Sequence, residues 1–236
     1  MTSYPEAQPH GPIHELFPDV FVVRGSFRMA PLMSIARNMI ILREGQDLTL
    51  VNAVRLSAAG ESELEKLGRV KHLIKLGFFH TLDDPYYRSR FAPTFWAPAP
   101  PDAKTEKLVE GGPSPVARAS VFVFEAAIKG EAALVVEQPA GNLLVTCDSV
   151  QNWVDVEGCS LIGGVVARVM GFIEPAKIGP IWLKQMTSNN AAAMKPDFDR
   201  LLGRDFRHLI AGHGALLRDE AKAALARSCE RVLVPR

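Results

Sequence analysis

The sequence has few cysteines, and none of them form a close pair. Only Cys147, Cys159 and Cys229 occur among its 236 residues, and no C-x-x-C spacing is present. An odd number of widely separated cysteines argues against a disulfide framework and against a cysteine-based zinc site. We therefore expect a protein of a reducing compartment.

The sequence also lacks an excess of charge of one sign and a long apolar run. The 27 basic and 26 acidic residues give a net charge of +1 and are spread along the chain, so no basic face for nucleic acid is expected. The longest apolar stretch, residues 159–173, contains Arg168 and is shorter than the roughly 20 residues that cross a bilayer. The N-terminus does not have a basic region followed by an apolar run, as a signal peptide would. These absences predict a cytoplasmic protein with no membrane span and no nucleic-acid partner.

Short apolar segments bounded by glycine or polar residues predict two groups of strands. The first group comprises residues 19–25, 38–45, 47–56 and 70–79, and the second comprises residues 119–128, 131–138 and 142–148. Segments of helical composition follow strands in both groups. This pattern predicts an α/β protein, an αββα sandwich of two mixed sheets with helices on the outer faces.

The same pattern of strand and helix segments predicts the domain organisation of the chain. We expect residues 1–18 to be an N-terminal extension and residues 19–236 to form a single domain. About residues 153–187 should be a helical insertion, because this segment is rich in small and apolar residues.

Polar side chains follow three of the predicted strands. His80 with Asp83 and Asp84 follows one strand, Asp148 follows another, and His213 lies between two glycines after a third. Histidine and carboxylate together suit zinc, iron or manganese. A single aspartate after a strand also serves as a helix cap or turn residue, so Asp148 alone admits that interpretation.

The order and spacing of these segments resemble the metallo-β-lactamase superfamily. Its members carry H-x-H-x-D-H after one strand, G-D at the end of a second and a late G-H-G, and here "HTLDDP", "VTCDS" and "LIAGHG" stand in that order. The resemblance covers roughly residues 19 to 225. It implies the αββα sandwich that the strand and helix pattern predicts by itself.

Carried over one residue at a time, the resemblance keeps four of the family's seven metal ligands. His80, Asp84, Asp148 and His213 stand at ligand positions. The other three ligand positions differ: Leu82 and Pro85 replace two histidines, and Ile128 or Lys129 replaces a third. Asn52 stands at the acidic position of the family's opening hairpin, which is not one of the seven ligands. The resemblance thus implies at most a mononuclear site, with Asp84, Asp148 and His213 as ligands and His80 as a further ligand.

Two functions follow as expectations. One is a mononuclear metal-dependent hydrolase of a small ester, lactone or related substrate, with one zinc or iron ion and with His80 or Asp83 orienting or deprotonating a water. The other is a metal-free, non-catalytic member of the fold that binds a small molecule or a protein partner. An iron-dependent oxidoreductase is a third interpretation. The fold itself does not distinguish them.

The flanking residues supply candidates for substrate binding. Trp153 and Trp182 in the insertion predict an apolar pocket, although the same segment would also suit a packed core helix or a homodimer interface. Tyr86 and Arg88 follow the "HTLDDP" motif, where the arginine would bind an anionic group or remain solvated.

Overall fold

The computed structural model describes residues 4–233, which form three sheets and six α-helices. The first sheet has seven strands in chain order: β1 His14–Phe17, β2 Val20–Ala30, β3 Met33–Glu44, β4 Asp47–Val51, β5 Arg69–Ile74, β6 Thr94–Ala97 and β7 Thr105–Lys107. Strands β1 to β4 pair antiparallel and β4 to β7 pair parallel. The sheet is therefore mixed.

The second sheet has four strands in the order β13-β10-β9-β8. Their bounds are β8 Ala119–Val123, β9 Ala132–Val136, β10 Leu143–Val145 and β13 His208–Ile210. A separate two-stranded ribbon pairs β11 Val150–Trp153 with β12 Glu174–Ile178. The helices are α1 Ala58–Leu67, α2 Asp84–Phe91, α3 Leu161–Val169, α4 Pro180–Met186, α5 Lys195–Leu202 and α6 Ala221–Val232, with a short 3-10 helix at Ala191–Met194.

Alternation along the strands divides the core into layers. In β3, Ile40 and Leu42 pack between the two sheets, whereas Met39 and Ile41 pack towards α1 and α2. This is the period of two expected for a strand that is buried on both faces. A further apolar cluster joins the outer face of the second sheet to α4, α5 and α6. The αββα sandwich predicted from the sequence is therefore confirmed.

Two segments differ from the sequence expectations. The first sheet begins at His14, within the predicted N-terminal extension, because β1 pairs with β2. The predicted helical insertion contains α3 and α4 but also β12, whose five residues "EPAKI" include a proline, which argues against a strand. The strand is defined by long-range pairing with β11, in which the Ala176 N–H donates to the Asn152 side chain. Among residues 4–233, no helix combines the length and apolarity required to cross a membrane.

Asn52, just after β4, links the two sheets. Its side-chain nitrogen donates to the Thr146 carbonyl at 3.1 Å, and its side-chain oxygen accepts from the Leu76 N–H at 3.3 Å. The residue is fully buried and has a φ of 56°, a left-handed conformation that asparagine tolerates better than most residues. This backbone role explains an asparagine at the position where the resembling family has an acid.

Replacing Asn52 by alanine should lower the free energy of unfolding by about 2–4 kcal/mol, because the buried Leu76 N–H loses its partner, the Thr146 carbonyl keeps only the Gly212 N–H, and alanine is strained at a positive φ. Urea denaturation of the variant measures this loss. Asn190→Ala is the matched control, since Asn190 is exposed and its side chain caps nothing. Equal stabilities of the two variants would contradict the linking role of Asn52.

Candidate metal centre

Three strand ends bring His80, Asp148 and His213 together. The His80 Nε2 lies 3.2 Å from the His213 Nε2 and 3.4 Å from the Asp148 Oδ2, and the His213 Nε2 lies 3.3 Å from the Asp148 Oδ1. All three side chains are buried. Among the described residues, this is the one group of histidine, cysteine and carboxylate side chains arranged closely enough to hold a metal.

Strand pairing explains how the group forms. Val145 of β10 pairs with Ile210 of the parallel strand β13, so Asp148 and His213, each three residues further on, leave the same sheet edge side by side. His80 follows β5 of the first sheet and reaches the group from the opposite layer. Gly212 leaves room for it, because a Cβ there would lie 3.2 Å from the His80 imidazole.

The strand β3 holds His213 in one orientation. The His213 Nδ1 lies 2.7 Å from the carbonyl oxygen of Ala36; a carbonyl only accepts, so Nδ1 carries a proton, and Nε2 is the ring nitrogen that faces the group. The Asn38 side chain donates to the carbonyls of Ala211 and Gly214 and fixes the glycine-flanked loop. Trp153 stacks on the imidazole with ring centroids 5.5 Å apart.

The Asp148 carboxylate is oriented by neighbouring donors. The Gln151 side-chain nitrogen donates to Oδ1 at 3.2 Å, and the Cys147 thiol donates to Oδ2 at 3.3 Å. Gln151 is itself held by the Trp153 indole N–H at 2.8 Å. Burial opposes ionisation of Asp148, but the adjacent His80 and His213 outweigh it and hold the carboxyl pKa well below its usual range.

His80 is set up as a neutral imidazole. Burial lowers its pKa to about 4, against the opposing effect of the Asp148 charge. Its Nδ1 is buried and has no hydrogen-bond partner in the described part of the chain. The neutral form is the one that coordinates metals.

The donor set fits a single metal ion. Ligand atoms at about 2.0–2.1 Å from a tetrahedral zinc are about 3.3–3.4 Å apart, and the three closest separations in the group are 3.2, 3.3 and 3.4 Å. Two imidazoles and one carboxylate are also a common ligand set for non-haem iron. The group therefore matches the chemistry of either ion.

The structure places Asp84, a predicted ligand, outside this group. Asp84 begins α2 and lines a separate small cavity with Lys75 and Arg88. Asp83, predicted to orient a water, is buried in an ion pair with Arg37 and accepts the Arg55 backbone N–H at 2.8 Å. The helical turn that starts at Asp84 directs these carboxylates away from His80.

The four predicted substrate-binding residues are divided between two regions. Trp153 and Trp182 line the cavity above the candidate metal centre. Tyr86 instead donates to Glu61, and Arg88 forms an ion pair with Asp102, so both belong to the outer layer around α2. Tyr86 and Arg88 thus have structural partners remote from the cavity.

A mainly apolar cavity of about 550 Å³ opens onto the group. Its polar lining residues are Arg37, His80, Asp148, Gln151 and His213. The apolar lining comes from the β2–β3 hairpin, the loop after β5, α3 and α4. A compound that fits there would be largely apolar, with one polar group directed at the histidines.

Sequence reasoning missed Arg37, Gln151 and Glu131. Arg37 lies within a strand and carries no motif, whereas Gln151 is three residues after Asp148 and could have been found as a neighbour of that ligand position. Glu131 is fully buried beneath the group and accepts the Ser149 N–H. Burial, and then the nearby Asp148 charge, raise its pKa well above the usual range.

Asp84 generates a testable pH dependence. Burial raises its pKa to about 7 from 3.8, against the attraction of Lys75. Between these two pKa values the folded state keeps the proton on Asp84, whereas the unfolded state has released it. The contribution of the protonated Asp84 to stability is therefore fully present below about pH 4 and is lost as the pH rises to about 7. Asp84→Asn should remove this loss between about pH 4 and pH 7, as measured by urea denaturation at each pH. An unchanged slope in the variant would contradict the assignment.

No protein-family model matches the sequence, and a search of curated proteins finds no significant relative. Solved structures do match. A metallo-beta-lactamase from Erythrobacter litoralis aligns at 10% identity and a TM-score of 0.60 over 93% of this chain and 92% of its own. The metallo-beta-lactamase DIM-1 exposed to ceftazidime aligns at 12% identity and a TM-score of 0.59, over 98% of this chain and 99% of its own. A mutant flavo di-iron protein from Thermotoga maritima aligns at 11% identity and a TM-score of 0.62, over 92% of this chain and 61% of its own. The chain therefore has the metallo-β-lactamase fold.

Proposed function

We propose that this protein is a mononuclear metal-dependent hydrolase of a small, largely apolar ester, lactone or related compound. The observation that carries the proposal is the convergence of two imidazole nitrogens and a carboxylate on one point at the floor of an apolar cavity. The same fold in solved metallo-beta-lactamases supports a hydrolytic reaction.

His80, Asp148 and His213 would hold the ion. When bound, a zinc or iron ion supplies Lewis acidity and lowers the pKa of a coordinated water. The protein holds two of the ligands in the protonation states that bind metals, because Asp148 is ionised and His80 is neutral near pH 7. Neither Asp148 nor His80 has to lose a proton before it coordinates at that pH.

Arg37 is the candidate for binding the polar end of the substrate. Its guanidinium lines the cavity and is held from behind by Asp83, while its Nε is buried and has no partner among the described residues. A fixed guanidinium with a free N–H stabilises an oxygen on which negative charge develops. Asp83, predicted to activate a water, would then act by positioning Arg37.

The apolar wall would bind the remainder of the substrate. It includes the side chains of Trp153, Trp182, Phe27 and Ile35. This lining excludes water from the reacting group and favours an alkyl or aryl substituent over a charged one.

A metal-free binding protein is the competing function. It is favoured by Leu82, which lines the cavity at a position where the resembling family has a histidine ligand. In that case the His80, Asp148 and His213 side chains would bind the polar end of a ligand by hydrogen bonds, and the purified protein would bind apolar carbonyl compounds without turnover.

Metal analysis distinguishes the two functions. Protein purified without chelator should contain about one equivalent of zinc or iron, and both Asp148→Ala and His213→Ala should lose it while remaining folded by circular dichroism. Asp84→Asn should retain the metal, because Asp84 lies outside the group. Absence of metal after loading with zinc and with iron(II) would exclude the hydrolase proposal.

A series of p-nitrophenyl esters tests the substrate class. The value of kcat/KM should rise about threefold to fourfold for each added methylene from acetate to hexanoate, the gain expected for burying one CH₂. Asp148→Ala should abolish the activity. A rate that falls with chain length would contradict an apolar binding wall.

A further inference from the structure

Helix α3 presents its large apolar side chains to solvent. Leu161, Val165 and Val169 recur every four residues, so they lie on one face, and they are 92%, 59% and 82% exposed. The small residues Gly163 and Gly164 are buried instead. A surface helix ordinarily shows the reverse distribution, with its large apolar residues towards the core.

Close packing against the β2–β3 hairpin fixes this orientation. A Cβ at Gly163 would lie 2.1 Å from the carbonyl oxygen of Ser34, so only glycine allows the helix to approach the hairpin so closely. The Ser160 hydroxyl accepts the N–H groups of both Gly163 and Ser34, which fixes the start of α3 to the hairpin. The larger residues of α3 consequently face outward.

Apolar residues at the mouth of the cavity are exposed as well. Met29, Phe79, Leu82, Met170 and Ile181 line the cavity and are each more than a third exposed. Leu32 at the tip of the β2–β3 hairpin is 80% exposed. We call these six residues, together with Leu161, Val165 and Val169, the apolar rim. An exposed apolar surface drawn from four segments around one opening marks an interaction site.

The charges within the rim are all positive. Arg28 in the hairpin and Arg168 in α3 are exposed. Residues 26–37 and 159–173, which supply the hairpin tip and α3, contain no aspartate or glutamate. The hairpin tip and α3, two of the four segments of the rim, therefore combine apolar side chains with basic ones and contain no acid.

We propose that the apolar rim docks on a lipid surface containing anionic headgroups, with the mouth of the cavity facing the lipid. Apolar side chains enter the boundary between headgroups and acyl chains, and the arginines pair with the anionic headgroups. An apolar compound dissolved in the lipid would then reach the cavity without crossing water. This inference extends beyond the proposed hydrolase, and its test measures binding and not turnover.

The charge pattern favours lipid over a second copy of the chain. A two-fold contact between copies places the same surface on both sides, so Arg28 and Arg168 of each copy would meet a hairpin tip and an α3 that have no acid to pair with them. Such a contact would also cover the mouth of the cavity. A lipid surface supplies both the apolar phase and the negative charge.

Vesicle sedimentation tests the proposal. The full-length protein should bind vesicles of phosphatidylcholine with phosphatidylglycerol more tightly than vesicles of phosphatidylcholine alone. Val169→Glu should weaken binding about tenfold, because it removes an inserted apolar side chain and adds a repelled charge. Arg28→Gln and Arg168→Gln should each weaken binding to the anionic vesicles about fivefold and leave binding to the neutral vesicles unchanged.

Val109→Glu is the matched control. Val109 is also an exposed apolar residue, but it follows β7, at the opposite edge of the first sheet from β1 and β2. This variant should bind as the unchanged protein does. The proposal is overturned if the unchanged protein binds neither vesicle, or if Val169→Glu and Val109→Glu have the same effect.

Sedimentation equilibrium without lipid tests the alternative that the apolar rim forms a contact between two copies of the chain. The protein should be a monomer at micromolar concentration. A dimer that Val169→Glu dissociates would assign the rim to a contact between copies and would overturn the lipid proposal.

Discussion

The packing of the two sheets against each other is the constraint on which the candidate metal centre depends. Asp148 and His213 follow neighbouring strands of one sheet, and their proximity needs only the β10–β13 pairing. His80 belongs to the other sheet and meets them only because the apolar side chains between the layers set the separation and register. A slip of one residue along β5 would turn its side chains to the opposite face and alter the position of the loop that carries His80.

Burial at this meeting point determines the charge state of the group. It keeps His80 neutral, while the two adjacent imidazoles keep Asp148 ionised. Cys147, in the same surroundings, has its pKa raised well above the usual range by burial and by the Asp148 charge, so it remains a thiol and donates a hydrogen bond. The result is a compact set of two imidazole donors and one carboxylate at the floor of an apolar cavity.

Much of the fold and part of the site were predictable from the sequence, for local reasons. Short apolar segments and helical composition predicted the αββα layers. His80, Asp148 and His213 were identified because they are polar residues that follow predicted strands. The motif alignment assigned Asp84 as a ligand, but the turn into α2 depends on how "DDPYY" starts a helix, and that turn carries Asp84 to another cavity. The position of Arg37 depends on its ion pair with Asp83, and the outward face of α3 depends on the close approach of Gly163 to Ser34. Both contacts join segments that are distant in sequence. Local patterns carry no signal for such contacts.

The central claim is that His80, Asp148 and His213 hold one metal ion. Anomalous diffraction from crystals grown with zinc tests it most directly. The account predicts a single strong peak at about 2.0–2.2 Å from the Nε2 atoms of both histidines and from an Asp148 oxygen. A peak that instead lies beside Asp84, or no peak between the two histidines at saturating zinc, would contradict it.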